Sequence, residues 1–177
     1  MYHHTAVSSS RTRATRETPP AGPVRFTVPG LPVPKARARV TRSGFAYTPK
    51  ATVNAEAAVR YAYLGAVPGR PPIPAGVPIR LEIMAHFPVP ASAPKAVRAA
   101  VYAGAAIPMS VRPDIDNLVK TVLDALNGLA WADDGQVAQI TARKFRTTGR
   151  ARLHVSVAEI VPSPSVLGPS QGLCSFT

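Results

Sequence analysis

The sequence contains one cysteine, Cys174, close to its C-terminal end. A single thiol cannot form a disulfide within the chain, and it is too few for a structural zinc site built from thiolates. The sequence also has no run of about 18 consecutive apolar residues, and residues 1–23 lack the apolar segment of a secretory signal. We therefore expect neither a membrane span nor a secretory signal, and we expect a cytoplasmic protein.

Acidic residues are also scarce. The chain has 9 Asp and Glu residues against 21 Lys and Arg residues, which gives a formal net charge of +12. Such an excess produces a positive field that attracts polyanions. It predicts a nucleic acid as the partner, and the alternative is a surface whose arginines serve solubility alone.

The chain length of 177 residues leaves room for one domain with a real core and little room for two. Residues 1–23 are rich in Ser, Thr, Arg and Pro without apolar periodicity, which is typical of a disordered basic arm. Residues 161–177 have a similar composition, and we expect a flexible tail there. Residues 24–160 are then the folded domain.

The folded part combines strand and helix patterns. Strands are predicted at residues 24–28 and 77–87, a hairpin at 39–47, and a second hairpin from strands 137–145 and 151–160. A helix is predicted at 51–64, with Val53, Ala57, Tyr61 and Leu64 on its apolar side, and a shorter one within 92–105. These elements predict an α+β fold, a single small domain whose mixed sheet packs against two or three helices.

Residues 113–136, PDIDNLVKTVLDALNGLAWADDGQ, hold five of the nine acidic residues. Pro113 favours a helix that starts directly after it, with Asp114 as the N-cap. The apolar residues of this helix are Ile115, Leu118, Val119, Val122, Leu123 and Leu126, and they form one stripe. The opposite side carries Asp116, Lys120, Asp124 and Asn127. An acidic turn at residues 133–135 follows and leads into a strand.

The same segment suggests a metal site. If the turn folds back against the helix start, Asp114, Asp116 and either Asp133 or Asp134 converge. Converging carboxylates repel one another unless a cation lies between them, and hard oxygen ligands suit Mg²⁺ or Mn²⁺. With Lys120 near a bound phosphate, this arrangement predicts metal-assisted cleavage of a phosphodiester.

Each of these residues also has a purely structural explanation. Asp114 can serve as an N-cap, and Asp116 can be a first-turn residue stabilised by the helix dipole. Lys120 and Asp124 are spaced for an exposed ion pair that contributes a few tenths of a kcal/mol. The acidic turn alone indicates only a turn, and Asn117 is the weakest candidate of the group.

The segment RPDIDNLVKTVLDALNGLAWADDGQV closely resembles the signature of RusA-type Holliday junction resolvases, D-x-D-N-L-x-K, D-A-L and D-D-x-Q-V. The upstream stretch VPGLPVPKARARVTRSGFAYTPKAT is similar to the N-terminal part of that family. The resemblance implies a small α+β homodimer that acts in DNA recombination and repair. It would bind four-way DNA junctions and make paired nicks with Mg²⁺, for which Mn²⁺ would substitute.

The resemblance also implies roles by position. The metal ligands would be Asp114, Asp116 and Asp134, and the essential lysine would be Lys120. Asp133 and Asn117 would support these ligands without binding the metal. The chain departs from the family in IPMSVRPD, where Arg112 is the one basic residue and other members often carry several.

A basic strip provides candidate DNA contacts. Its cations are Lys35, Arg37, Arg39, Arg42 and Lys50. We expect them, together with Arg112, to neutralise phosphates. Phe45 and Tyr47 lie among them and either stack on unpaired bases or belong to the core, and we expect the core.

The symmetry of the reaction predicts a homodimer, because a two-fold dimer places one active site at each of two symmetric phosphodiesters. No heptad or other association motif in the sequence indicates how the subunits meet. Two alternatives to junction resolution stay open: a catalytically silent protein that binds branched DNA, and a nuclease specific for forks or flaps.

Overall fold

The computed structural model describes residues 22–161. The predicted basic arm and C-terminal tail lie almost wholly outside the described residues. The elements are β1 (Val24–Pro29), β2 (Arg39–Val40), β3 (Ala46–Tyr47), α1 (Lys50–Ala66), β4 (Ile79–Pro88), α2 (Lys95–Tyr102), β5 (Ile107–Pro108), α3 (Ile115–Leu126), β6 (Val137–Thr147) and β7 (Arg152–Glu159). A short 3₁₀ turn, Asp134–Gln136, precedes β6.

Five of these strands form one mixed sheet in the order β1-β7-β4-β6-β5. Strand β4 is parallel to β6 and antiparallel to β7, so Leu81 pairs with Ile140 on one side and with Val157 on the other. Together with the three helices, the sheet confirms the predicted α+β class. The predicted hairpin of residues 137–145 and 151–160 is wrong, because β4 lies between the two strands and pairs with both.

Helices α1 and α3 cover one face of the sheet. Alternate residues of β4, Ile79, Leu81 and Ile83, are almost completely buried beneath them. The predicted stripe of α3 is confirmed in its central part, where Leu118 and Val122 are buried. The burial of alternate residues in β4 therefore follows from a period-2 pattern of apolar residues in the sequence. The buried stripe of α3 follows from a period-3.6 pattern.

The face that α1 buries differs from the predicted one. Val53, Tyr61 and Leu64 are 48%, 84% and 50% exposed, so the predicted apolar side faces away from the core. The helix instead buries Val59 and Tyr63, and the Tyr63 ring packs edge-on against Phe26 with ring centroids 5.8 Å apart. An alanine-rich helix offers small apolar residues on every side, and contact with the sheet decided the orientation.

The other elements are peripheral. The predicted short helix within residues 92–105 is confirmed as α2, and the predicted hairpin at residues 39–47 is confirmed as β2 and β3. Gly44 takes a positive φ of 83° in the turn between these two strands, a conformation that glycine adopts without strain. No helix within residues 22–161 has both the length and the apolar character needed to cross a membrane.

Candidate active site

Two aspartates lie at the start of α3. Asp114 occupies the N-cap position, yet its side chain makes no capping hydrogen bond, and Asp116 lies in the first turn. Both side chains are exposed, and neither forms an ion pair within residues 22–161. The partial positive charge of a helix start stabilises anions. The capping explanation for Asp114 therefore fails, and both carboxylates are free to bind a cation.

Asn117 supports Asp116. Its side-chain amide donates a hydrogen bond of 3.4 Å to Oδ1 of Asp116. The Asn117 carbonyl accepts a hydrogen bond from the backbone N–H of Lys35 at 2.9 Å, and it shares the hydroxyl hydrogen of Thr121, whose oxygen is 3.1 Å away, with the carbonyl of Val33. These contacts fix the first turn of α3 against the segment before β2.

The acidic turn is held by its own hydrogen bonds. Asp133 Oδ1 accepts from the backbone N–H of Gly135 at 2.7 Å, and Asp133 and Gln136 form a reciprocal capping box. Asp134 Oδ1 accepts from the indole N–H of Trp131 at 2.9 Å, and Trp131 is fully buried. Asp133 is thus a turn-forming residue, and Asp134 is anchored to the core through one oxygen.

Within one chain Asp134 does not approach Asp114 and Asp116. The start of α3 lies beside the far part of β6, since the Lys144 ammonium donates to the carbonyls of Val111 and Pro113 at 2.8 and 2.7 Å. Asp134 lies at the opposite end of α3, because Trp131, its hydrogen-bond partner, is bridged to Asn127, the C-cap of that helix. The 12 residues of that helix span about 18 Å. The expected fold-back of the turn against the helix start is therefore wrong for a single chain.

The donor chemistry still fits a divalent cation at the helix start. No group of three or more Asp, Glu, His or Cys side chains within residues 22–161 is arranged to hold a metal ion. However, Mg²⁺ usually keeps several waters and binds through one or two protein carboxylates plus phosphate oxygens of the substrate. Asp114 and Asp116 provide such a pair of hard ligands.

A cluster of four charges follows on the same side of α3. Lys35 Nζ lies 2.5 Å from Glu56 Oε1 and 2.7 Å from Asp124 Oδ2. Lys120 Nζ lies 3.3 Å from Asp124 Oδ1. The hydrogen bonds to Asp124 and Glu56 raise the pKa of Lys35 above 10.5. Lys35, predicted as a phosphate contact, is instead held between two carboxylates of the protein.

The cluster predicts a pH-dependent stability. Burial acts to raise the pKa of Asp124, but the bonds from Lys35 and Lys120 outweigh it and hold the pKa below 3.8. A carboxyl with a lowered folded-state pKa stabilises the fold above its unfolded pKa, and this stabilisation is lost as the pH falls through the folded value. The difference in melting temperature between the wild type and Asp124→Asn should therefore be largest near pH 6 and shrink below about pH 4. A difference that stays constant from about pH 3 to 7 in thermal unfolding would contradict it.

The remaining predicted DNA contacts are accessible. Arg37, Arg39, Arg42, Lys50 and Arg112 are all exposed. Phe45 and Tyr47 are 74% and 47% exposed, so the expectation that these rings belong to the core is wrong. Strands of two residues are too short to cover a ring, and the hairpin stands away from the sheet.

The hairpin is tethered close to the start of α3. The hydroxyl of Thr121 donates to the carbonyl of Val33 at 3.1 Å, and the Lys35 backbone bonds to Asn117 as described above. Only three residues separate Lys35 from the first residue of β2. The cations and exposed rings of the hairpin therefore begin next to the two free aspartates.

A comparison with known protein families shows to which family this chain belongs. Residues 29–158 match the family described as Endodeoxyribonuclease RusA. The chain belongs to the RusA family. The predicted family is thereby confirmed, and the RusA match spans all three helices, both predicted site segments and the strands of the sheet other than β1, of which only Pro29 is included. RusA proteins are endodeoxyribonucleases that act on Holliday junctions, so this chain has the fold and the general class of a nuclease that acts on branched DNA.

One curated relative is similar over most of its length. The Bacillus subtilis (strain 168) protein named Uncharacterized protein YqaN is 31% identical over 140 residues, which cover 77% of this chain and 96% of that protein. The shared length matches that of the described domain, and the name of the relative assigns no activity to it.

Some residues of the site could not be found in the sequence. The spacing of Lys120 and Asp124 predicts their contact, since residues four apart are neighbours on a helix. Glu56 lies on α1 and Lys35 in an irregular segment, and no local pattern joins them to Asp124. The Trp131–Asp134 hydrogen bond was likewise not predicted, although the two residues are only three positions apart.

Proposed function

We propose that this RusA protein is a metal-dependent endodeoxyribonuclease that resolves four-way DNA junctions by paired nicks. The observation that carries the proposal is that the carboxylates of Asp114 and Asp116 form no ion pair within residues 22–161, although the chain has a net charge of +12. They lie within the RusA match and beside an exposed basic hairpin. These two carboxylates lie where the cationic surface would meet DNA. A divalent cation bound by both carboxylates and by a DNA phosphate would explain acidic residues at this position.

The residues around the helix start have distinct roles in this proposal. Asp114 and Asp116 hold Mg²⁺ or Mn²⁺, and a bound divalent ion activates water and stabilises charge on the leaving oxygen. Asn117 orients the carboxylate of Asp116. Lys120 lies one helical turn further along, and its side chain is 63% exposed. Its exposed ammonium, which lies 3.3 Å from Asp124 Oδ1, would also contact the phosphate and stabilise the negative charge that develops there.

The third family carboxylate requires a second copy of the chain. Asp134 is anchored on Trp131, which is bridged to Asn127 at the far end of α3, so it lies away from the Asp114–Asp116 pair of its own chain. Nicks at two symmetric phosphodiesters call for a two-fold dimer. We propose that the dimer also completes each site, with Asp134 of one protomer joining Asp114 and Asp116 of the other.

The hairpin would hold the branch point. Arg39, Arg42 and their neighbours contact phosphates, and the exposed ring of Phe45 stacks on a base that is unpaired at the junction. Duplex arms offer no unpaired base, and therefore Phe45 should contribute mainly to branched substrates.

Replacing Phe45 with alanine should weaken junction binding by about five- to a hundredfold, since stacking on an aromatic ring contributes about 1–3 kcal/mol per base. Affinity for linear duplex and the melting temperature should change little, because the ring is 74% exposed. Fluorescence anisotropy with labelled junction and duplex in EDTA measures both affinities. Tyr61→Ala, an 84% exposed ring on α1, is the matched control and should leave junction binding unchanged.

Strand-resolved cleavage tests the proposed function. A four-way junction is labelled on each strand in turn and incubated with the protein in Mg²⁺, in Mn²⁺ and in EDTA. We expect nicks at symmetric positions in two strands of like polarity, and none in EDTA. Junction binding without cleavage in either metal would identify a catalytically silent protein that binds branched DNA. Faster cleavage of forks or flaps than of junctions would identify a nuclease with a different preferred substrate.

A further inference from the structure

Lys120 has two acidic neighbours on its own face of α3, one turn before it and one turn after it. Asp116 and Asp124 are each four residues away, and residues at that spacing lie side by side on a helix. An acid placed N-terminal to a lysine at this spacing is the more favourable arrangement, which on local grounds favours Asp116. In the structure, however, Lys120 contacts Asp124 at 3.3 Å, and Asp116 forms no ion pair within residues 22–161.

Asp124 is itself fixed from outside the helix. Its other oxygen lies 2.7 Å from Lys35 Nζ, and Lys35 is tied to Glu56 on α1 and to the backbone of Asn117. Asp124 and Lys35 are each only 24% exposed in their side chains, whereas Lys120 is 63% exposed. The carboxylate therefore stays in place while the Lys120 ammonium remains free to turn toward solvent.

We propose that Asp124 is a positioning residue that keeps the Lys120 ammonium away from Asp116, so that Asp116 stays open to a divalent cation. The proposal rests on the proposed function, because it gives Asp116 the role of a metal ligand. Lys35 contributes to this positioning, since its ion pair with Asp124 holds the carboxylate next to Lys120.

This role of Asp124 should affect the affinity for Mn²⁺ in the absence of DNA. When Asp124 becomes asparagine, Lys120 loses its charged partner and pairs with Asp116, where it competes with the metal. An ion pair at this spacing is worth about 0.3–0.5 kcal/mol, so the affinity for Mn²⁺ should fall by about twofold or more. The double variant Asp124→Asn with Lys120→Met removes the competitor, and it should recover most of that loss.

The experiment measures free Mn²⁺ by electron paramagnetic resonance in a titration of the full chain without DNA. We expect Mn²⁺ binding in the order wild type, then the double variant, then Asp124→Asn as the weakest. Glu159→Gln, which removes the carboxylate of the Arg70–Glu159 ion pair, is the matched control and should bind Mn²⁺ like the wild type. Thermal melting of each variant separates loss of fold from loss of metal.

Lys120→Met alone keeps the test decisive even when Asp124→Asn does not fold. With Asp124 intact, Lys120 does not compete for Asp116, and Mn²⁺ affinity should equal that of the wild type. Tighter binding by Lys120→Met overturns the proposal, and so does unchanged binding by a folded Asp124→Asn. A wild type that binds Mn²⁺ and cuts junctions while Asp124→Asn behaves identically refutes the positioning role alone. A wild type that neither binds Mn²⁺ nor cuts DNA refutes the proposed function as well.

Discussion

Replacing Asp116 with asparagine is expected to lower the rate of Mg²⁺-dependent junction cleavage by about a thousandfold or more, since metal-ion catalysis supplies several kcal/mol of transition-state stabilisation. The substitution keeps the shape of the side chain and its contact with Asn117, and removes only the charge that binds the cation. Binding of the junction in EDTA should persist, because Asp116 makes no contact with a cation of the protein within residues 22–161.

The matched control is Glu82→Gln. Glu82 is an exposed acid on the sheet face opposite the helices, and it forms no ion pair within the described part of the chain. Its replacement changes the net charge by the same amount, and the cleavage rate should stay within about twofold of the wild type. Single-turnover cleavage at saturating Mg²⁺ compares the two variants. An Asp116→Asn protein that cuts within tenfold of the wild-type rate would remove the metal role from this residue.

Mixing two inactive variants is expected to restore cleavage. Asp116→Asn and Asp134→Asn are each predicted to be inactive alone, because every site in either homodimer lacks one carboxylate. In a heterodimer with sites shared between protomers, one site loses both residues and the other keeps Asp114, Asp116 and Asp134 intact. Random exchange of subunits then leaves about a quarter of the sites active.

This complementation separates the two arrangements of the site. If all three carboxylates came from one chain, each protomer of the heterodimer would carry one defect, and mixing would restore nothing. The measurement is the nicking of labelled junctions after the two variants are unfolded and refolded together. A mixture of Asp114→Asn with Asp116→Asn is the control, because these two residues belong to the same half of the site and cannot complement each other.

Local patterns were sufficient to predict the segment that carries the site. The helix from Ile115 to Leu126 begins after Pro113, and its periodic apolar residues Leu118 and Val122 are buried as expected. The cause is that helix start, period and length depend on residues within a few turns of one another. The hairpin around Gly44 was predictable for the same reason.

Features that depend on distant contacts were not predicted correctly. Strands β6 and β7 are neighbours in the chain, but β4 separates them because its two edges pair with both. The side of α1 that faces the sheet was set by Tyr63 against Phe26, and nothing in an alanine-rich helix marks that side. Lys35 appeared to be a free cation because Glu56 and Asp124 are far from it in sequence.

The position of Asp134 relative to Asp114 is another feature that local sequence patterns do not predict. Its motif is local and resembles the family closely, yet its position relative to Asp114 depends on the length and direction of α3. In the structure, Asp114 and Asp134 lie at opposite ends of that helix. Sequence alone therefore predicts Asp114, Asp116 and Asp134 as candidate ligands, and in the three-dimensional structure residues 22–161 of one chain do not bring these three together.

Anomalous diffraction from a crystal of the wild-type protein soaked in Mn²⁺ tests most directly whether the start of α3 binds the catalytic metal. We expect a manganese peak within bonding distance of Asp114 and Asp116, with any third carboxylate contributed by Asp134 of a second protomer. A peak elsewhere on the protein, or none at the start of α3 under conditions in which the same preparation cuts junctions, would contradict it.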